Sequence, residues 1–172
     1  NALDGNHESK CDTASAKFQS EDAGLVDFTG SEDEIYAGIR ELVSMLPSNN
    51  EDDMSYEECT DDLNRASETL ENAVGDPAVI CSEIGDDHVF VETKAAYAKE
   101  MATGFIRLNG MTVGVVGNRT ESYDEDGNVA EKYADVLTAR GARKAAKFVK
   151  FCDAFEIPVL TLTNLTGFKG RS

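Results

Sequence analysis

The chain has 172 residues, 41% of them hydrophobic, and a formal net charge of −17, which is enough apolar material for a real core in one domain. The charge is uneven: residues 132–172 carry eight Lys/Arg against three Asp/Glu, whereas residues 1–131 carry eight against thirty. So acidic a first part disfavours nucleic acid and anionic membranes as partners, and no apolar run reaches the length of a membrane span or a secretory core.

In chain order, the first clear element is a helix opened by the capping box Ser31-Glu-Asp-Glu34. Its apolar face is expected to be Ile35, Ile39, Leu42 and Leu46, with Pro47 closing it. Residues 48–53 form a polar, acidic linker. Weak helical periodicity then runs from Tyr56 to Val74 through Leu63, Ala66 and Leu70, and Gly75-Asp76-Pro77 is a break. A short strand is expected at Val89 to Val91 and a short helix from Lys94 to Met101.

From Phe105 the pattern sharpens. Phe105 to Leu108 and Met111 to Val116 flank Asn109-Gly110, a two-residue hairpin signal, because both central turn positions need positive φ. Such a turn pairs Leu108 with Met111 and Ile106 with Val113. Alternation then places Ile106, Leu108, Met111, Val113 and Val115 on an apolar face and Arg107 and Thr112 on a polar one. Phe105 falls on the polar face with no reason in the pattern. Asp124-Glu-Asp126-Gly127 suggests a calcium loop, but Ser122 and Tyr133 occupy the first and twelfth positions, so it reads as a solvated turn.

A helix is expected from Gly141, with Ala145, Phe148, Cys152 and Phe155 as its apolar stripe. Ile157 to Leu162, after which the chain enters Thr166-Gly167-Phe168, reads as a buried strand. A hairpin, a helix and a strand packed by that helix make an α/β layer unit. Arg140, Arg143, Lys144, Lys147 and Lys150 form a basic cluster on this helix, and Arg143, Lys147 and Lys150 share one face opposite the apolar stripe.

Several local patterns carry no chemistry. Cys11, Cys59, Cys81 and Cys152 show no CxxC or metal-ligand spacing and read as reduced thiols of a cytosolic protein. His7 and His88 have no partner pattern, no G-x-S-x-G marks a nucleophile, and no metal site is expected. The sequons at Asn118 and Asn164 are chance matches. The glycines of Gly114-Val-Val-Gly117-Asn118 are followed by no helix and lack GxGxxG, so they permit close packing rather than form a nucleotide loop. The chain begins Asn1-Ala2, as a processed or excised segment would.

The stretch Met101 to Gly170, above all KFVKFCDAFEIPVLTLTN from Lys147 to Asn164, resembles the carboxyltransferase subunit of biotin-dependent acyl-CoA carboxylases and decarboxylases. Leu46-Pro47, the acidic linker, Asp61 to Arg65, and Glu92 to Met101 with Tyr97-Ala98 extend the resemblance upstream, although the family's H-T-x-x-S-G has only His7 to Cys11 in its place. The resemblance implies an α/β fold of the ClpP/crotonase type, in which ββα turns wind into a spiral, here only in part. It implies that residues 1–53 are the tail of a first domain, 54–75 a linker segment, and 76–172 the start of a second domain.

It further implies carboxyl transfer between carboxybiotin and an acyl-CoA of the propionyl or methylmalonyl type. Biotin would sit on a separate carrier domain or protein, and the parent would be a cytoplasmic homo-oligomer. Both developing enolates need preorganised N–H donors, and in the family these come from Gly-Gly-Ala-type loops, which this chain lacks, so no catalytic residue is expected within it and the chain is expected to be inactive alone. Thr166, Gly167 and Phe168 are expected on the biotin side and Gly117 and Asn118 near the substrate. Arg143, Lys147 and Lys150 are expected to meet an anion, either a CoA phosphate or an acidic neighbour. Other crotonase-type acyl-CoA chemistry and a non-catalytic acidic interaction module are the alternatives.

Overall fold

The computed structural model describes residues 13–170 apart from residues 54, 68 and 125. The segment His7 to Cys11 therefore lies outside the described residues. A four-stranded sheet is the centre of the fold. Its members are β1 (Val91–Thr93), β2 (Met101–Leu108), β3 (Met111–Asn118) and β7 (Val159–Leu162), in the order β1-β2-β3-β7. The first three run antiparallel, and β7 lies parallel to β3 after a crossover through α3 (Ala139–Ala154).

The Asn109-Gly110 hairpin forms in the expected register, Leu108 opposite Met111 and Ile106 opposite Val113, with φ of 51° and 81° at the turn. The Asp86 carboxylate secures it, accepting from Asn109 N at 3.0 Å and Gly110 N at 2.7 Å. A Cβ on Gly110 would lie 1.9 Å from the Glu57 carbonyl oxygen. Gly110→Val therefore suffers both a left-handed backbone and a backbone clash, and should lose about 2–3 kcal/mol in urea unfolding. Gly127→Val, at φ +79° but in open space, should lose about 1 kcal/mol. Equal losses would show that the contact with Glu57 is irrelevant.

The two faces of the sheet are not apolar and polar, as alternation suggested. Both are covered. On one face Ile106 and Val115 pack against Cys81 of α2 (Pro77–Ile84), with Leu160 and Leu162 at the margin. On the other, Met101, Phe105 and Val116 pack with Phe148 and Cys152 of α3 and Met45 of α1 (Glu32–Met45). This second layer accounts for Phe105, which is buried with its ring centroid 5.0 Å from that of Phe148. It also takes Thr112, fully buried, off the solvent side, while Met111 is exposed beside Tyr56.

The helix α1 starts at its capping box: Glu34 N donates to Ser31 Oγ, and Ser31 N donates to Glu34 Oε2 at 2.7 Å. Its inner side is Leu42, Met45 and Leu46, whereas Ile39 is exposed along with Tyr36 and Val43. Two other expectations fail. Between 56 and 74 the described residues include only a short 3-10 turn, Leu70–Asn72, and residues 94–100 form turns rather than a helix. Tertiary bonds explain both. Arg65 donates to Asp61 Oδ2 at 2.8 Å and to the carbonyls of Glu83 and Gly85 at 3.0 and 2.6 Å, which pins its segment across the end of α2. In the second case Lys144 Nζ donates to Lys94 O and Tyr97 O, and Arg119 Nη1 to Lys99 O. The expected strand at Val89 is displaced to Val91–Thr93.

Two small strand pairs complete the fold. The acidic turn, with Asp124 Oδ1 accepting from Asp126 N and Asn128 N, joins β4 (Glu121–Tyr123) to β5 (Val129–Lys132) as a solvated hairpin. The other pair is β6 (Val136–Leu137) with β8 (Gly167–Phe168), in parallel.

Candidate functional site

The carboxyl ends of β3 and β7 lie side by side because those strands are parallel, the place where α/β sheets hold ligands. Asn118 ends β3, and its side chain clips the chain leaving β7. Its Nδ2 donates to Asn164 O at 2.8 Å, and its Oδ1 accepts from Asn164 N at 2.5 Å. The amide is thereby spent on holding the 163–166 segment in place. Gly117 makes a close approach possible: a Cβ there would meet Pro77 at 2.6 Å, so the start of α2 could not seat against β3.

Beyond the clip, Thr166 N and Oγ1 both donate to Asp135 O, at 2.7 and 3.2 Å. Gly167 and Phe168 are strand residues, not a free loop, anchored through Lys169 N to Leu137 O at 3.0 Å. The space beside Gly167 is open and Phe168 is 83% exposed. An open backbone next to an exposed aromatic face suits a flat apolar ring with polar edges.

Arg143, Lys147 and Lys150 are exposed on α3, as the spacing implied. Among the described residues none of them forms an ion pair, and Arg143 Nε donates only to its own helix at Ala139 O. No hydrogen bond joins these three to the Asn118 edge. The structure brings Gly117, Asn118 and the 164–168 segment together and leaves the basic face apart from them. Lys144 is a correction: it is 2% exposed and does not belong to the solvated cluster. Among the described residues no group of three or more His, Cys, Asp or Glu could hold a metal ion, and no helix is long and apolar enough to cross a membrane.

A buried charge cluster escaped the sequence reading. Arg119, the residue after β3, donates from Nε to Asp76 Oδ1 at 2.7 Å, from Nη2 to Glu92 Oε2 at 3.2 Å, and from Nη1 to Lys99 O at 3.0 Å. Asp76 also caps α2 by accepting from Ala78 N at 2.9 Å. The only local signal was Asp76-Pro77, a cap followed by proline at the first helical position. Burial pushes the thiols of Cys81 and Cys152 up to about 12 and about 11, so neither is a thiolate nucleophile.

The carboxyl transferase domain model matches residues 1–171. The chain belongs to the carboxyl transferase family. Among its relatives, the propionyl-CoA carboxylase beta chain of Roseobacter denitrificans is 35% identical over 169 residues, covering 94% of this chain and 29% of that protein. The mitochondrial beta chain of Rattus norvegicus is 36% identical over 137 residues, covering 76% and 24%. In structure, the chain resembles the transcarboxylase 12S solved with methylmalonyl-coenzyme A and methylmalonic acid bound. That match has a TM-score of 0.75 and 28% identity, and covers 91% of this chain and 30% of the other. The chain thus spans between about a quarter and three tenths of the length of these relatives. Its α/β fold, with β2, β3 and α3 as one ββα turn, is a part of the crotonase-like carboxyltransferase fold.

Proposed function

We propose that the chain forms part of a carboxyltransferase that moves a carboxyl group between carboxybiotin and an acyl-CoA of the propionyl or methylmalonyl type. The observation that carries this is the family match along residues 1–171, which includes both strands and the clipped segment of the candidate site. In this reading residues 1–53 end one crotonase-like domain, 54–75 link, and 76–172 begin a second. The packing of Met45 into the core beneath β2 suits a helix of the first domain docked on the second.

The proposed roles rest on the resemblance to the family, and the placements above support them. Thr166, Gly167 and Phe168 border the biotin side, where the open backbone and exposed ring receive a flat bicyclic group. Gly117 and Asn118 stand on the acyl-CoA side, where Asn118 positions the 163–166 segment through Asn164. Arg143, Lys147 and Lys150 face an anion, either a CoA phosphate or an acidic segment of a neighbouring subunit. Biotin arrives on a separate carrier, and the parent protein is a cytoplasmic homo-oligomer.

Carboxyl transfer passes through enolate oxyanions, and one missing N–H donor to such a group costs two to three powers of ten in rate. No Gly-Gly-Ala-type loop occurs in this sequence. The 172-residue chain should therefore give no methylmalonyl-CoA-dependent carboxylation of free biotin, while a subunit of the relatives' length that contains it should be active. In that longer subunit Phe168→Ala should raise the KM for biotin and leave that for acyl-CoA unchanged. Enoyl-CoA hydration or thioester hydrolysis without biotin carboxylation would favour the other crotonase-type chemistry. Turnover proportional to the concentration of the 172-residue chain would place the oxyanion donors within this sequence and overturn the reading.

A further inference from the structure

A cavity of about 220 Å³ lies between α1, α3 and the sheet, away from the Asn118 edge. Its walls are mostly apolar, formed by Leu42, Phe105, Phe148 and Phe151, with Asp27, Thr93 and Thr103 as polar members of the lining. The three rings brace one another, with Phe105 centred 5.0 Å from Phe148 and 6.2 Å from Phe151. At its inner end is Lys144, 2% exposed, whose Nζ donates to Lys94 O and Tyr97 O at 2.8 Å each. An ammonium has three donors, and among the described residues two acceptors meet it, Lys94 O and Tyr97 O. Lys147, exposed on the next turn of α3, stands at the mouth.

Among the described residues no carboxylate forms an ion pair with the Lys144 ammonium, although Asp27 is part of the cavity wall. The nearby carboxylates take their closest bonds from other groups, Asp27 from Lys94 at 3.3 Å, Glu92 from Arg119, and Glu100 from the neutral Thr138 hydroxyl at 2.5 Å, so Glu92 and Glu100 act on Lys144 only at a distance. Neither Lys144 nor Lys147 has an ion-pair partner among the described residues. A buried cation met by two carbonyl dipoles in a mostly apolar chamber favours an anionic oxygen.

We propose that this cavity binds a small monocarboxylate, its aryl or branched alkyl group against the three phenylalanine rings and its carboxylate on the Lys144 ammonium. The volume falls below that of drug-sized pockets, which limits the ligand to about one ring or a short branched chain. Burial pushes Lys144 down to about 8, so it is still mostly protonated at neutral pH, and a bound carboxylate would relieve that pressure. The inference concerns a cavity apart from the Asn118 edge and needs no biotin or coenzyme A, and only Lys147 is shared with the anion-facing residues of the proposed function.

The probe is benzoate, titrated at pH 7 into the isotopically labelled 172-residue chain, with shifts followed at Lys144, Phe105 and Phe148. Benzyl alcohol, of the same size but neutral, is the comparison. Benzoate should saturate these shifts and bind at least roughly tenfold more tightly than benzyl alcohol, the factor expected of one charge-assisted hydrogen bond. Lys147→Glu, an exposed change that leaves the core alone, should weaken benzoate severalfold and leave benzyl alcohol unaffected. Lys144→Met should abolish the preference for the anion. Absence of saturable shifts with benzoate overturns the proposal. So does equal affinity for the two probes, which would mean a plain apolar hole.

Discussion

Arg119→Leu should be the most destabilising single substitution away from the hydrophobic core, costing about 3–5 kcal/mol. The Arg119 and Asp76 side chains are only 7% and 6% exposed, and Glu92 is 20% exposed. Removing the guanidinium leaves Asp76 as a buried carboxylate without its counter-charge, while Asp76 must still cap α2 through Ala78 N. The loss also frees Lys99 O, so four pieces of structure come apart together: the ends of β3 and β1, the start of α2 and the 94–100 turns. Arg119→Lys should recover only part of the stability, because a point charge cannot span two carboxylates and a carbonyl as a planar fork does.

The exposed pair Lys132–Glu121, at 74% and 30% exposure, is the control. Lys132→Ala should cost under about 1 kcal/mol. For a chain of this size the Arg119→Leu effect corresponds to a fall of roughly 10 °C or more in the melting temperature. Urea unfolding of the three variants decides it. A loss below about 1 kcal/mol for Arg119→Leu would mean that water already reaches the cluster and the burial is incidental.

What could be read from sequence and what could not divides along the range of the interactions. The capping box at Ser31, the turn at Asn109-Gly110 and the stripe through Phe148 and Cys152 are local patterns, and each appears where its spacing put it. Phe105 was opaque because alternation identifies one buried face, and this sheet has two, the second covered by α3 and by the distant α1. The 94–100 turns looked helical by composition. They are held instead by Lys144, Arg119 and a left-handed residue at each of Lys94 and Ala98, none of which a window on that segment can reveal. At the candidate site, resemblance singled out Asn118, but its bonding to Asn164 joins residues 46 apart and has no local signature. Lys144 was hidden in a basic cluster, although it stands four residues before Phe148, on the buried side of α3.

The stability of the chain should rise with pH between about 8 and 10.5 through Lys144, and Lys144→Met should remove that rise. In the folded chain Lys144 titrates at about 8 because burial disfavours its charged form; unfolded, it returns to about 10.5. Between those values the unfolded chain holds more protons than the folded one, so raising the pH favours the folded state. Below about 8 both forms are protonated and the full cost of a buried ammonium remains. The span is worth roughly 3 kcal/mol.

The charged groups around Lys144 set its environment from every side: Glu92 on β1, Lys94 and Glu100 in the turns, Arg119 after β3, Asp27 before α1, and Lys147 on its own helix. Two buried thiols act in the opposite sense. Cys81 and Cys152 titrate in the folded chain at about 12 and about 11, above the ordinary 9, so the folded state holds their protons longer and loses stability as pH rises past 9. From pH 8 to 9 the lysine therefore dominates among these three groups. Above that, the difference between the chain and Lys144→Met isolates it, because the cysteines contribute equally to both. Urea unfolding at pH 7, 8, 9 and 10 should show the chain gaining roughly 2 kcal/mol on the variant from pH 8 to 10. Parallel curves would mean that Lys144 keeps an ordinary pKa and is solvated. A rise confined to the parent chain would establish that α3 holds the 94–97 turn with an amine whose charge the fold opposes.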